Sequence, residues 1–254
     1  MRISRALALA GIDSRRKCEL HVTNGAVKVN GEVVFDLGRQ VDPEKDSISF
    51  RGKRLTFGGH IYYVMNKPVG YMTTASDPHA PKTVYDLLPR TLVKSSRQTG
   101  TRTRVFPVGR LDKDSMGLLL FTNDGELANK LIHPRYHVSK WYEVRVHRAF
   151  ERSDIPKMVG GLRLEDGWAR VERVHPVSPR IIHVSLAEGK KREVRRIFEK
   201  LEYKVLRLVR FAFGPLTLGS LPLGKGRFLN KNEIRALKQA VAGTEDTEEN
   251  EDGS

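Results

Sequence analysis

The sequence predicts an α+β protein in two parts, a small basic module at the N-terminus and a larger domain behind it. Short apolar runs of strand character alternate irregularly with segments of helical period. Neither a βαβ repeat nor a Gly-x-Gly-x-x-Gly run is present to indicate a doubly wound nucleotide fold. The pair Gly58-Gly59 then punctuates the chain between two differently patterned regions. At 254 residues and 39% hydrophobic, the chain is long enough for a small domain plus a larger one, and it can bury a sizeable core.

In chain order, Ile3, Leu7 and Ala10 stand at helical spacing and Gly11 stops that helix. Ser14 is the expected N-cap of a second helix with Cys18 and Val22 on its inner face. Arg2, Arg5, Arg15, Arg16 and Lys17 occupy the polar side of the pair. Val27-Lys28-Val29-Asn30-Gly31-Glu32-Val33 reads as a hairpin, because Asn-Gly suits the two positive φ angles of a type I′ turn. A second strand pair, 47–50 and 53–57, turns at Arg51-Gly52 and completes a module over residues 1–58.

The larger domain, 59–242, opens with the buried strand Ile61-Tyr62-Tyr63-Val64-Met65, and Pro68 holds Lys67 extended at its exit. Residues 94–104 are polar, basic and loop-like. A strand at Phe106-Pro107-Val108, a polar loop 109–117, an apolar strand 118–122 and a turn at Asn123-Asp124-Gly125 follow, then a helix through Leu127 and Leu131. Residues 141–146 and 181–186 are further strands, and Val194, Ile197, Phe198 and Leu201 fall at i, i+3, i+4 and i+7 of another helix. Residues 243–254 form an acidic tail, expected to be disordered, that either competes with a polyanion for the basic body or aids solubility.

Charge narrows the function. Forty-five Lys and Arg against 30 Asp and Glu leave +15 at a pI near 10.0, although the tail alone carries Glu245, Asp246, Glu248, Glu249, Glu251 and Asp252. A body so basic points to a polyanionic partner bound largely by counterion release. The one cysteine, Cys18, excludes an intramolecular disulfide or a thiolate zinc cluster and fits a reducing, cytoplasmic setting. The longest apolar run, 116–121, is far short of the roughly 20 residues a membrane span needs. The N-terminus lacks the apolar core of a secretory signal, and the scattered histidines predict no metal site.

The loop Gly109-Arg110-Leu111-Asp112-Lys113-Asp114-Ser115-Met116-Gly117 lies between two apolar strands and can present a carboxylate at a sheet edge. By pattern alone Asp112 reads as an Asx-turn or cap residue rather than a catalytic one. Tyr142, in an alternating strand, fits cross-strand packing. Arg192 and Arg196, one helical turn apart, fit a solvated or phosphate-facing stripe, and Lys67 fits a turn.

Ser14-Arg15-Arg16-Lys17, Gly25 and Val27-Lys28-Val29-Asn30-Gly31 together resemble the S4 RNA-binding domain. That resemblance implies that Arg15, Arg16, Lys17 and Lys28 face RNA phosphates, positioning the RNA without reading its sequence. Four further segments extend the likeness: Lys67-Pro68-Val69-Gly70, Arg110-Leu111-Asp112, Lys140-Trp141-Tyr142-Glu143-Val144 and Gly189-Lys190-Lys191-Arg192-Glu193-Val194-Arg195-Arg196. With them the chain, to about residue 237, resembles the bacterial ribosomal RNA pseudouridine synthases that place an S4 module before the catalytic domain. In that family the catalytic domain is a mainly antiparallel sheet with flanking helices.

The resemblance implies a nucleophilic Asp112, a Tyr142 that stacks on the target uracil and an Arg195 that pairs with Asp112. Lys67, Arg110, Arg192 and Arg196 then contact RNA, Arg110 filling the space of the extruded uridine. Isomerisation breaks the C1′–N1 bond, turns the uracil and rebonds it through C5, so the pocket must be dry. Leu118, Leu119, Leu120 and Phe121 can wall it. Extrusion of the uridine costs a few kcal/mol, which phosphate contacts offset.

The implied partner is ribosomal RNA, free or in pre-ribosomal particles, bound by a monomer without cofactor, metal or membrane. The large-subunit (23S) RNA is the favoured target, with the small-subunit (16S) RNA or a non-catalytic RNA-binding role as alternatives. The loop 94–104 and the acidic tail are longer than this family usually carries.

Overall fold

The computed structural model describes residues 1–74, 82–93 and 105–242, so the basic loop 94–104 and the tail 243–254 lie outside the described residues. Two compact units emerge. One is Met1–Ile61 with Thr122–Asp124 and the described part of Leu88–Phe106, and the other is Tyr62–Leu87, Pro107–Phe121 and the described chain from Gly125 onward.

In the first unit, helices α1 (Ile3–Leu9) and α2 (Arg15–Thr23) accompany four short strands: β1 (Val27–Val29), β2 (Glu32–Val33), β3 (Ile48–Phe50) and β4 (Lys53–Arg54). The strands order β2-β1-β3-β4, all antiparallel. Ile3, Leu7, Cys18, Val22, Val27, Val29 and Ile48 form one core, the inner faces that the spacing predicted. Asn30 and Gly31 have φ of 52° and 90°, and Arg51 and Gly52 repeat the pattern at 48° and 77°, as type I′ turns require. Ser14 holds the N-cap position, but its side chain caps nothing. The Asp13 carboxylate instead accepts from the Ser14 backbone N–H at 2.8 Å, a local turn that takes over the role expected of the serine. Arg15, Arg16, Lys17 and Lys28 are all exposed.

After β5 (Tyr62–Lys67) comes the short helix α3 (Arg90–Val93), followed by β6 (Phe106–Pro107), β7 (Met116–Thr122), α4 (Gly125–Ile132), β8 (Lys140–Val146) and α5 (Ile155–Gly160). A hairpin of β9 (Leu162–Leu164) and β10 (Gly167–Ala169) leads to β11 (Arg173–Ser178), β12 (Ile181–Leu186), α6 (Glu193–Lys200) and β13 (Val205–Phe213). Two short strands, β14 (Leu216–Thr217) and β15 (Gly226–Phe228), and helix α7 (Lys231–Gln239) complete the described chain.

The large sheet runs β11-β12-β8-β13-β7-β5-β15, with β14 on β13 and β6 on β7. Its β11–β12, β12–β8, β8–β13 and β5–β15 pairings are antiparallel, whereas β13 and β7 run parallel. The fold is α+β, with a mainly antiparallel sheet and flanking helices. Tyr62, Val64, Leu118, Leu120 and Phe213 of the sheet form one core with Leu127 and Leu131 of α4 and Leu237 of α7. Farther out, β8 and β12 bury their even positions, Tyr142, Val144, Val146, Ile182, Val184 and Leu186. Helix α6 buries Val194, Ile197 and Phe198, the stripe its period predicted. Among the described residues no helix is long and apolar enough to cross a membrane.

Candidate active site

The loop 109–117 carries the chain from β6 into β7, and two contacts fix its end. Gly117 sits at φ +110°, where a Cβ would lie 2.2 Å from the Arg210 carbonyl oxygen, so β7 starts in backbone contact with β13 and admits glycine alone. Beneath the loop, the Lys67 ammonium donates to the carbonyl oxygens of Asp112 (2.9 Å), Ser115 (2.8 Å) and Pro68 (3.2 Å). Lys67 is 0% exposed, and burial lowers its pKa to about 8, with Arg210 adding to the effect and Asp112 and Asp114 opposing it. The expected RNA contact from Lys67 is therefore corrected. A side chain with no surface and three donors committed to carbonyls holds the loop and cannot reach a phosphate.

Asp112 is half-buried, and among the described residues nothing hydrogen-bonds or ion-pairs with its carboxylate. Asp114, two residues on, is in the opposite condition. Arg192 Nη1 lies 3.1 Å from each of its carboxylate oxygens, and Arg195 Nε lies 3.3 Å from Oδ2. Arg195 also donates to the Asp114 carbonyl at 2.9 Å and the Val205 carbonyl at 3.3 Å. The expected Arg195–Asp112 pair is thus replaced by Arg195–Asp114. Anchored by two backbone carbonyls, the buried guanidinium meets the next carboxylate along the loop.

Tyr142 is reached through the sheet. Arg210 of β13 pairs with Tyr142 of β8 on one side and with Gly117 of β7 on the other, so the tyrosine shares a row with the end of the Asp112 loop. Tyr142 is 9% exposed, and its hydroxyl has no hydrogen-bond partner among the described residues. Arg110 is exposed. Arg196 makes a bidentate pair with Asp166 at 2.6 and 3.0 Å, and Arg192 is engaged by Asp114, so RNA would have to compete for either.

Three buried charges complete the surroundings. Arg210, 2% exposed, donates from Nε to the Leu118 carbonyl at 2.8 Å and leaves Nη2 without a partner. Lys140 donates to the Ala187 carbonyl, and its pKa falls to about 8 through burial and then the nearby Arg210. Glu193 at the head of α6 accepts from the Lys190 N–H, and burial raises its pKa. Sequence reasoning assigned no role to Asp114, Lys140, Glu193 or Arg210. The available signal was an arginine between Val209 and Phe211 inside an otherwise apolar run.

Residues 61–200 match the family model described as RNA pseudouridylate synthase. An RNA pseudouridine synthase of uncharacterised role from Aquifex aeolicus is 39% identical over 246 residues, covering 95% of each chain. The ribosomal large subunit pseudouridine synthase B of Bacillus subtilis is 36% identical over 93% of this chain and 95% of its own. A crystal structure of a pseudouridylate synthase superposes with a TM-score of 0.65 at 27% identity, covering 93% of this chain and 99% of the other. Fold and sequence thus define an isomerase that acts on uridine in RNA. The chain belongs to the RNA pseudouridylate synthase family.

Proposed function

We propose that the protein converts a uridine of large-subunit ribosomal RNA to pseudouridine, with Asp112 as the catalytic carboxylate. The observation that carries this reading is the contrast within one loop: Asp114 takes up two guanidinium groups, and the Asp112 carboxylate stays uncommitted above the Lys67 anchor. The assignment to the large subunit is supported by the Bacillus subtilis relative, which bears that name and matches nearly end to end.

In the reaction the C1′–N1 bond breaks, the uracil turns, a C1′–C5 bond forms, and the C5 hydrogen leaves as a proton while N1 gains one. Asp112 engages the reacting nucleotide, Tyr142 presents its ring to the base, and Arg195 holds the loop through Asp114. Arg110, exposed two residues before Asp112, fills the space of the extruded uridine. Residues 1–58 act as an S4-like anchor whose Arg15, Arg16, Lys17 and Lys28 bind phosphates. The protein works as a single copy in the cytoplasm, on free or pre-ribosomal RNA.

The test is Asp112→Asn on ribosomal RNA carrying tritium at uridine C5. An amide keeps the size of the carboxylate but not its charge, so tritium release should cease while RNA affinity and the melting curve stay unchanged. Substantial release by a well-folded Asp112→Asn protein would remove Asp112 from the chemistry.

A further inference from the structure

The outer part of the large sheet has a second face, opposite the buried even positions of β8 and β12. Side chains alternate across a strand, so the odd positions share that face. The register sets them in rows: Arg173 beside Ser185 beside Trp141, then His175 beside His183 beside Glu143, then Ile181 beside Arg145. The helices that cover the same sheet farther along pack over β5, β7 and the end of β13. Over β11, β12 and β8 the odd positions stay half-exposed or exposed among the described residues, apart from Ser185.

Three rings gather there. A bulge in β13 between Arg210 and Ala212 leaves Phe211 out of register, and its ring comes within 4.6 Å of the His183 ring and 6.2 Å of that of Trp141. Next to Trp141 is a cavity of about 310 Å³ lined by Ser139, Trp141, Glu172, Arg173 and Ser185. Ser185 is 1% exposed, and its hydroxyl oxygen is buried behind the cavity wall with no hydrogen-bond partner among the described residues.

Arginines outnumber acids on this face, Arg145, Arg173 and Arg207 against Glu143 and Glu172. Glu143 is flanked by His183 at 3.6 Å and Arg207 at 3.9 Å, and Glu172 accepts from the Ser139 hydroxyl at 2.8 Å. Arg145 and Arg173 have no acidic partner among the described residues. Half-exposed rings beside uncommitted arginines are what a single nucleic-acid strand requires, since bases stack on the rings and phosphates meet the guanidinium groups.

We propose that this face is a second RNA surface, on the side of the sheet away from Tyr142, that takes an unpaired strand flanking the target. One base enters the cavity beside Trp141, stacks on the indole, and has its phosphate held by Arg173. The surface needs only an RNA partner and is independent of which uridine is modified.

The test uses the full chain with Trp168→Phe, so that Trp141 is the sole tryptophan, titrated with an oligouridylate of about ten nucleotides. Trp141 emission should be quenched. Adding Arg145→Glu and Arg173→Glu should weaken binding by about tenfold or more, with melting temperature and turnover on a saturating short hairpin unchanged. Arg235→Glu with Lys238→Glu on α7 makes the same change in net charge elsewhere and should cost less affinity. Absence of quenching, or equal weakening by the α7 pair, would overturn the proposal. Because turnover is read separately, an inactive protein that still quenches would count against Asp112 chemistry and in favour of this surface.

Discussion

At the scale of single residues, the site depends on which carboxylate is spoken for. Arg195 is buried and its ion pair is with Asp114, so Asp114→Asn leaves a guanidinium short of its counter-charge. The pair is half-exposed on the carboxylate side, which puts the expected destabilisation at about 1–2 kcal/mol, between exposed and buried pairs. A urea melt should show that loss for Asp114→Asn and none for Asp112→Asn. Arg195→Lys keeps the charge but loses the fork that serves Val205, Asp114 and the loop together, so kcat should fall while KM for RNA holds. A matched rise in KM would move Arg195 into the phosphate-binding set.

Lys67 adds a pH signature. Its folded-state pKa, about 8, lies below the ordinary 10.5, so at pH 7 both states are protonated and burial of the charge costs the fold in full. As pH rises from about 8 towards 10, the folded protein releases the proton first and stability increases. Lys140 contributes in the same direction. Lys67→Met should flatten that rise in denaturation curves taken across the window, and an unchanged slope would show that the ammonium is not held as described.

At the scale of elements, the loop is placed by the contact between β7 and β13. Gly117→Ala meets both a φ of +110° and a backbone oxygen at 2.2 Å, and neither can yield without moving β13. The expected cost is about 3 kcal/mol or more, with loss of turnover because the Asp112 loop moves with it. Gly109→Ala is the internal comparison. Its φ is +70°, but its Cβ would meet only Ile132 at 3.6 Å, so about 1 kcal/mol is expected. Equal losses in chemical denaturation would deny the strand contact its special role.

At the scale of the whole molecule, the proposed function assigns RNA affinity to the basic N-terminal residues and chemistry to the larger domain. Removing residues 1–58 takes away Arg15, Arg16, Lys17 and Lys28 but keeps Gly59 and Ile61, whose backbone groups bond the Asn123 side chain. The remainder should fold and bind RNA more weakly, and the slope of log K against log salt should fall by up to about 3. If the truncated protein kept the full slope, the module would not be the phosphate anchor.

The sequence by itself determined the class and the elements with strong local signals, but it named none of β9 to β11, β13 to β15, α5 or α7. Asn30-Gly31 demands its turn, Val194, Ile197 and Phe198 demand a buried helix face, and residues 181–186 coincide with β12. The loop bearing Asp112 was also legible, since a polar run between two apolar strands has nowhere to go but the sheet edge. Tertiary structure alone decided the electrostatic partners. Arg195 and Asp114 are 81 residues apart, and Lys67 reaches Asp112 across 45. Nothing local distinguishes a lysine that binds phosphate from one that vanishes under a loop. Charge is written in the residue, but burial and partnership are properties of the assembled sheet, so the sequence could propose Asp112 and could not foresee that its neighbour would take the arginine.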